Sequence, residues 1–226
     1  MSEDVTQMLD QFREDERLVE EASARLMQIT ELQGLANPLL DALLEFGGPF
    51  GYESFLTAFS EEKFQREMVA WRLRRVIAPW FAWAVPTEEA LAAVGTTGEV
   101  VEIGAGGGYW AGMLRARGVT VHAYDVAPHE NYQVTHGWSP VHRGNTKAAA
   151  HHPQATLFLC WPPYDSRMAE IAVERYRRAG GRRVAYIGES GGCTGESPRL
   201  NALEPVADIA IPQWPGLHDY LRIYEL

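Results

Sequence analysis

Along the first 85 residues, apolar positions recur at helical intervals. Leu9, Phe12, Leu18, Ala22, Leu26 and Ile29 are spaced among many acidic and basic residues, which predicts an amphipathic helix over 3–33. Gly34 and Pro38 punctuate it, and a short helix is expected at Pro38–Glu45. The glycines and proline of "FGGPFGY", Phe46–Tyr52, then break the pattern. A longer helix is expected over Ser60–Trp80, with Phe64, Met68, Trp71, Val76 and Ile77 facing inward. No strand-like alternation occurs before Pro86, so 1–85 is expected to be an all-helical cap or lid on the domain that follows.

The rhythm changes after Pro86. "PTEEALAAVG", Pro86–Gly95, has acidic residues in its first turn and glycine past its end, as a capped helix does. Short apolar runs follow at Glu99–Ile103, Val119–Tyr124, Ser139–Val141, Ala155–Cys160, Arg183–Ile187, Val206–Ile211 and Tyr220–Tyr224. Between them, Tyr109–Arg117 closed by Gly118, and Asp165–Arg178 with Asp165 as N-cap, read as helices. Strands alternating with helices predict an α/β domain over 86–226 with a mostly parallel sheet. The last two runs are joined only by "PQWPGLHD", too short for a parallel crossover, so the last strand is expected to be antiparallel.

Composition narrows the class. With 226 residues, 46% of them hydrophobic, the chain suits one α/β domain plus an extension. A net charge of −10 makes nucleic acid an unfavourable partner. The exception is "WRLRRV", where Arg72, Arg74 and Arg75 cluster; a solvated helix face is the plainer reading of that cluster. Two cysteines, Cys160 and Cys193, lack CxxC spacing, and the histidines (His151–His152, and His129, His136 and His142) fit no compact ligand pair. No metal site is therefore expected. The start "MSEDVTQML" has no apolar signal region and no run is long enough to span a membrane, so a cytoplasmic protein is expected.

The chemistry concentrates in "VVEIGAGGGYWAG", Val100–Gly112. A glycine turn between a strand and a helix lets a ligand approach backbone closely at a helix N-terminus. Dinucleotides and S-adenosylmethionine both use such turns. The dinucleotide fingerprint G-x-G-x-x-G, counted from Gly104, meets bulky Tyr109 at its third glycine. Counted from Gly106 it ends at Ala111 but starts two residues late for the strand. Glu102 beside the turn would repel a pyrophosphate and suit a ligand carrying an ammonium and a sulfonium.

"EIGAGGGYW" resembles the first motif of class I S-adenosylmethionine-dependent methyltransferases, an acidic residue followed by G-x-G-x-G, here Gly104, Gly106 and Gly108. Asp125, ending "VTVHAYD", stands where an acid binds ribose hydroxyls. The resemblance covers 86–226 and implies a Rossmann-like seven-stranded, mostly parallel sheet with an antiparallel last strand. It implies S-adenosyl-L-methionine as cofactor, with Glu102 at its methionine end and Gly104, Ala105, Gly106 and Gly108 along its backbone approach. The adenine is expected near "HRGN", where Gly144 and Asn145 replace the family's usual acid; Asn145 is a candidate adenine contact, or simply a turn residue.

"LFLCWPPYD" carries Pro162, Pro163 and Tyr164, which resemble the end of the (D/N)-P-P-Y motif of amino-methylating enzymes. The leading residue here is Trp161, whose indole nitrogen donates and cannot accept a hydrogen bond. What remains is a rigid turn presenting aromatic faces for a flat or cationic substrate. Trp161, Pro162, Tyr164 and Trp214 are the candidate substrate contacts, with Trp161 also beside the cofactor. Strand direction brings Glu189, Ser190 and His218 to the same rim, making Glu189, His218 and Tyr164 the candidate catalytic residues. Tyr52, Trp80 and Trp83 are further aromatics that the helical extension would contribute. The expected function is in-line methyl transfer to a small molecule, in which alignment does most of the catalysis. The alternatives are an amino-methyltransferase acting on nucleic acid or protein, a non-catalytic cofactor-binding module, and, opposed by Glu102 and Tyr109, a nicotinamide oxidoreductase. The acidic first helix also suggests pairing with a second copy as a homodimer.

Overall fold

Seven strands form one sheet in the order β3-β2-β1-β4-β5-β7-β6. They are β1 (Glu99–Ile103), β2 (Thr120–Asp125), β3 (His142–Arg143), β4 (Thr156–Cys160), β5 (Arg183–Gly188), β6 (Ala207–Ala210) and β7 (Tyr220–Glu225). The computed structural model describes residues 3–45, 61–128, 134–189 and 192–226, the side chains of 3–9 and 61–66 aside. Tyr52, Ser190, His129 and the Phe64 side chain lie outside the described residues. β1 to β5 pair in parallel, and β7 runs antiparallel to both β5 and β6. This is the Rossmann-like mixed sheet expected from the sequence, with its last strand reversed. The strand order turns back at β1 and β4, and that switch point is where open α/β sheets bind ligands.

The helices are α1 (Glu3–Leu26), α2 (Pro38–Glu45), α3 (Glu61–Ile77), α4 (Glu88–Val94), α5 (Tyr109–Ala116), α6 (Met168–Arg178) and α7 (Pro198–Asn201). Central strands are buried on both faces, as their continuous apolar runs require. One face packs α4, α5 and the N-terminal helices against Val100, Ala123, Phe158 and Ile187 in a single apolar core. The other packs α6 and a 3-10 turn, Ala148–His151, against Val101, Ile103 and Leu157.

Tyr109 explains why a bulky residue stands where a dinucleotide turn needs glycine. Its ring is 1% exposed, its hydroxyl donates to Asn37 Oδ1 at 3.0 Å, and it accepts from Leu39 N at 3.3 Å. It thereby ties the start of α2 to the start of α5. Indole N–H groups add further ties: Trp80 to Ile29 O, Trp110 to Ala84 O and Trp138 to Trp80 O. The inner stripe of α1, which includes Val19, Ala22 and Leu26, is buried within the chain, where α1 packs on α3. Among the described residues, no helix is long and apolar enough to cross a membrane.

Four expectations shift. Trp71 and Val76 of α3, expected to face inward, are exposed, while Ile77 is buried. α1 ends at Leu26 rather than running to 33, because the chain leaves the helix to place Leu32 against Gly112 of α5. β3 forms at His142–Arg143, after the expected Ser139–Val141, because Ser139 and Val141 lie against Gly108 at the glycine turn. Asp165 does not cap α6, which begins at Met168; a turn closed by Ser166 N donating to Pro163 O occupies that stretch, and Ser166 Oγ accepts from Met168 N.

Candidate active site

β1 is central, so its alternating side chains must go into one apolar layer or the other. Glu102 points the same way as Val100 and is 3% exposed. Its Oε2 is buried with no hydrogen-bond partner. Burial pushes the carboxyl up to about 8; Arg115 nearby opposes this and Asp125 adds to it. A buried carboxyl with an unsatisfied oxygen is costly unless a cation or donor arrives.

The turn after β1 is built from left-handed backbone. Gly104, Gly106 and Gly108 have φ of 81°, 55° and 75°, which side chains disfavour. Its amides are largely spent inside the protein. Gly104 N and Ala105 N donate to Tyr124 O, Gly106 N to Asp125 Oδ2 at 3.0 Å, and Gly108 N to Ala105 O. The turn therefore offers a ligand closeness rather than these four donors. Asp125 also accepts from Ala127 N at 2.9 Å, so the expected ribose acid is in addition the brace of the turn. Chain 134–141 passes over the turn, and a Cβ at Gly107 would stand 2.2 Å from His136 O. Asn145 follows β3, whose Arg143 pairs with Asp125 of β2. It is exposed, and its Oδ1 accepts from Lys147 N at 2.9 Å, a turn-closing bond.

Between the turn and segment Ala78–Trp83 runs a narrow cavity with ≈ 50 Å³ open to the centre of a water molecule. Glu102, Gly104–Gly107, Trp83, Val134 and Cys160 are among its walls. Trp83 connects this cavity to a second group of residues at the ends of β4, β5 and β7.

In that group Trp161 holds φ +51°, a conformation uncommon for a bulky side chain and one that costs about 1–3 kcal/mol. Its ring stacks on Trp83 with centroids 6.1 Å apart, and its Nε1 donates to Asp219 Oδ2 at 2.8 Å. The Arg74 guanidinium lies 5.0 Å from the Trp83 centroid and 4.7 Å from that of Trp161. Arg74 is 8% exposed, and its Nε and Nη2 are buried without an acceptor. Asp219 is 2% exposed, and its Oδ1 is likewise buried and unpartnered. Burial lifts the Asp219 carboxyl to about 6, against the Trp161 hydrogen bond and the Arg74 charge. A carboxylate from the β6–β7 connection thus stands at Trp161, the position where the (D/N)-P-P-Y motif has an acceptor of its own.

The other predicted residues divide. Glu189 is 4% exposed and fully engaged: Oε2 accepts from Cys193 N at 3.1 Å and Cys193 Sγ at 2.6 Å. Its Oε1 accepts from His218 N at 2.8 Å, with His218 Nδ1 at 3.1 Å. Burial pushes this carboxyl up, but those donors outweigh it and hold it below the usual range. Glu189 and His218 therefore lock two loops to each other. Trp214 sits in the core at 2% exposure instead of on the rim, because its indole fills the space under the β6–β7 connection. Tyr164 faces solvent at 72% exposure. Pro162 is buried, its carbonyl accepting from Gly195 N at 2.8 Å. Arg74 and Asp219 were not singled out from the sequence as site residues: Arg74 is one of several arginines in α3, and nothing in "GLHDY" distinguishes a buried aspartate.

No family model matches the chain, and no curated protein matches it. Among solved structures, it is similar to magnesium protoporphyrin IX methyltransferase (ChlM) from Synechocystis PCC 6803 with bound SAM. The TM-score is 0.41 and the identity 9%, over 86% of this chain and 97% of that one. It is also similar to MtNAS in complex with MTA and tNA (TM-score 0.43, 10% identity, 95% and 98% covered). A third is CalO1, a methyltransferase in calicheamicin biosynthesis in its SAH-bound form (TM-score 0.36, 11% identity, 91% and 67% covered). With likenesses this loose, the strand order and reversed β7 of the chain itself are what define its fold.

Proposed function

We propose that the chain is an S-adenosyl-L-methionine-dependent methyltransferase acting on a small molecule. The observation that carries this reading is Glu102. A carboxyl with an orphaned oxygen, buried beside a side-chain-free turn, suits the ammonium of an amino-acid-bearing nucleoside and disfavours a pyrophosphate. When bound, the cofactor supplies an electrophilic methyl group on a sulfonium. Glu102 holds the ammonium, and the glycine turn, braced by Asp125, accepts the ligand against bare backbone. Pro79, Ala82 and Val134 must part to admit the nucleoside, since the cavity is narrow.

Trp83 and Trp161 provide flat walls for a planar acceptor between the cavity and Asp219. Arg74 steadies the ionised Asp219 carboxylate, whose Oδ1, with Oδ2 held by Trp161, takes the proton of an O–H or N–H acceptor and becomes neutral as that atom is methylated. Asp219 is preferred to Glu189 as the base because the lone pairs of Glu189 are already committed to Cys193 and His218. The acidic net charge and the burial of Arg74 against Trp83 and Trp161 favour a small molecule over nucleic acid.

Calorimetry with S-adenosylhomocysteine and with NAD tests the reading. Saturable binding of the former and none of the latter is expected, and the reverse would overturn it. A methyl-transfer screen with labelled cofactor then separates an enzyme from a binding module.

A further inference from the structure

On the face of the sheet opposite Glu102, three side chains far apart in sequence meet. The parallel register sets Val101 opposite His122, which brings His122 beside Glu99 two residues back along β1. His152 follows the 3-10 turn whose Ala148 and Ala149 pack on that same face. His122 Nε2 lies 2.9 Å from Glu99 Oε1. The His122 and His152 rings stack with centroids 3.9 Å apart and 21° between planes. One ligand atom from each of the three lies within 4.8 Å of the other two.

We propose that Glu99, His122 and His152 form a site for a divalent transition-metal ion of the zinc class, with solvent completing its shell. Two imidazoles and one carboxylate favour Zn²⁺ and its neighbours over Mg²⁺ or Ca²⁺, which prefer oxygen alone. Tetrahedral bonds of about 2.0–2.1 Å need ligand atoms roughly 3.3 Å apart. The Glu99–His122 edge is already near that spacing; the remaining ligand atom, within 4.8 Å of the other two, must close by at most about 1.5 Å as its ring tilts out of the stack. The donors have outer partners of the kind that orient metal ligands. Gln154 Nε2 donates to Glu99 Oε1 at 3.1 Å, and the Tyr124 hydroxyl is 3.1 Å from His152 Nε2. Side-chain exposures of 31% for His122 and 28% for Glu99 leave an approach for the ion and for water. An ion here would clip β1, β2 and the chain after the 3-10 turn together, independently of the cofactor cavity.

The test is calorimetric titration of the full, tag-free, chelator-stripped chain with Zn²⁺, alongside His122→Ala, His152→Ala and Glu99→Gln. One saturating ion per chain is expected, weakened by about tenfold or more in each variant. Co²⁺ should give visible bands of a low-coordinate nitrogen–oxygen site in the wild type and lose them in the variants. Zn²⁺ should raise the melting temperature of the wild type and leave that of His152→Ala where it stands without metal, a comparison that also reports whether the variant folds. Absence of saturable binding overturns the proposal, and so does binding equally tight in the His122→Ala/His152→Ala double variant.

Discussion

Replacing Glu102 with glutamine removes one charge from the floor of the cavity and changes almost no volume. With its carboxyl at about 8, roughly nine in ten copies of Glu102 are protonated at pH 7. A ligand ammonium stabilises only the ionised form, so binding S-adenosylhomocysteine at pH 7 should release close to one proton. Calorimetry in two buffers of very different ionisation enthalpy measures that number from the slope of apparent enthalpy. Glu102→Gln should release none and bind about 10–100-fold more weakly, the loss of one charge-assisted hydrogen bond. The same group sets a stability trend. The folded chain holds this proton between the ordinary carboxyl value of 4.5 and about 8, where the unfolded chain has lost it. Its contribution is therefore full below 4.5 and lost as pH rises through 8. At about 1.4 kcal/mol per pH unit, the whole window is worth on the order of 4–5 kcal/mol. Denaturant melts at pH 5 and pH 9 should show a shallower decline in Glu102→Gln than in the wild type. Undiminished affinity in the variant, no proton release by the wild type, or equal pH slopes would refute the role given to Glu102.

Asp219→Asn keeps a carbonyl for Trp161 Nε1 but removes the base, so kcat on an acceptor found by the screen should fall by about 10²-fold or more. The acidic limb of the wild-type pH profile, expected near the raised Asp219 value of about 6, should vanish with it; a retained limb would assign the base elsewhere. Gly107→Ala drives a methyl into His136 O, 2.2 Å from the ideal Cβ, and should cost about 1–3 kcal/mol. A thermal melt lowered by several degrees is expected, and an unchanged one would mean that segment 134–141 is not packed on the turn.

Sequence alone determined the elements that depend on local pattern. Buried strands need continuous apolar runs, so β1 was legible to the residue, and β4, β5 and β7 to within a residue at either end. A short connection forces a reversed strand, so β7 was predictable from "PQWPGLHD". Left-handed backbone needs glycine, so the turn after Ile103 announced itself, with Glu102 beside it. β3 was harder, because a strand of two residues carries almost no periodicity.

Tertiary structure decided which side chains face one another. Glu189 looked like a base until packing surrounded it with Cys193 and His218, and Trp214 looked like a rim residue until the β6–β7 connection folded over it. Arg74 reads like Arg72 and Arg75 along the chain; only the placement of Trp83 and Trp161 turns it inward. Glu99, His122 and His152 are separated by 23 and 30 residues, and only strand register makes them neighbours. Local pattern reports what a segment does with its own backbone and burial. Which groups share a low-dielectric space, and so which of them shift, pair or stay unsatisfied, depends on contacts between segments that no single stretch of sequence contains.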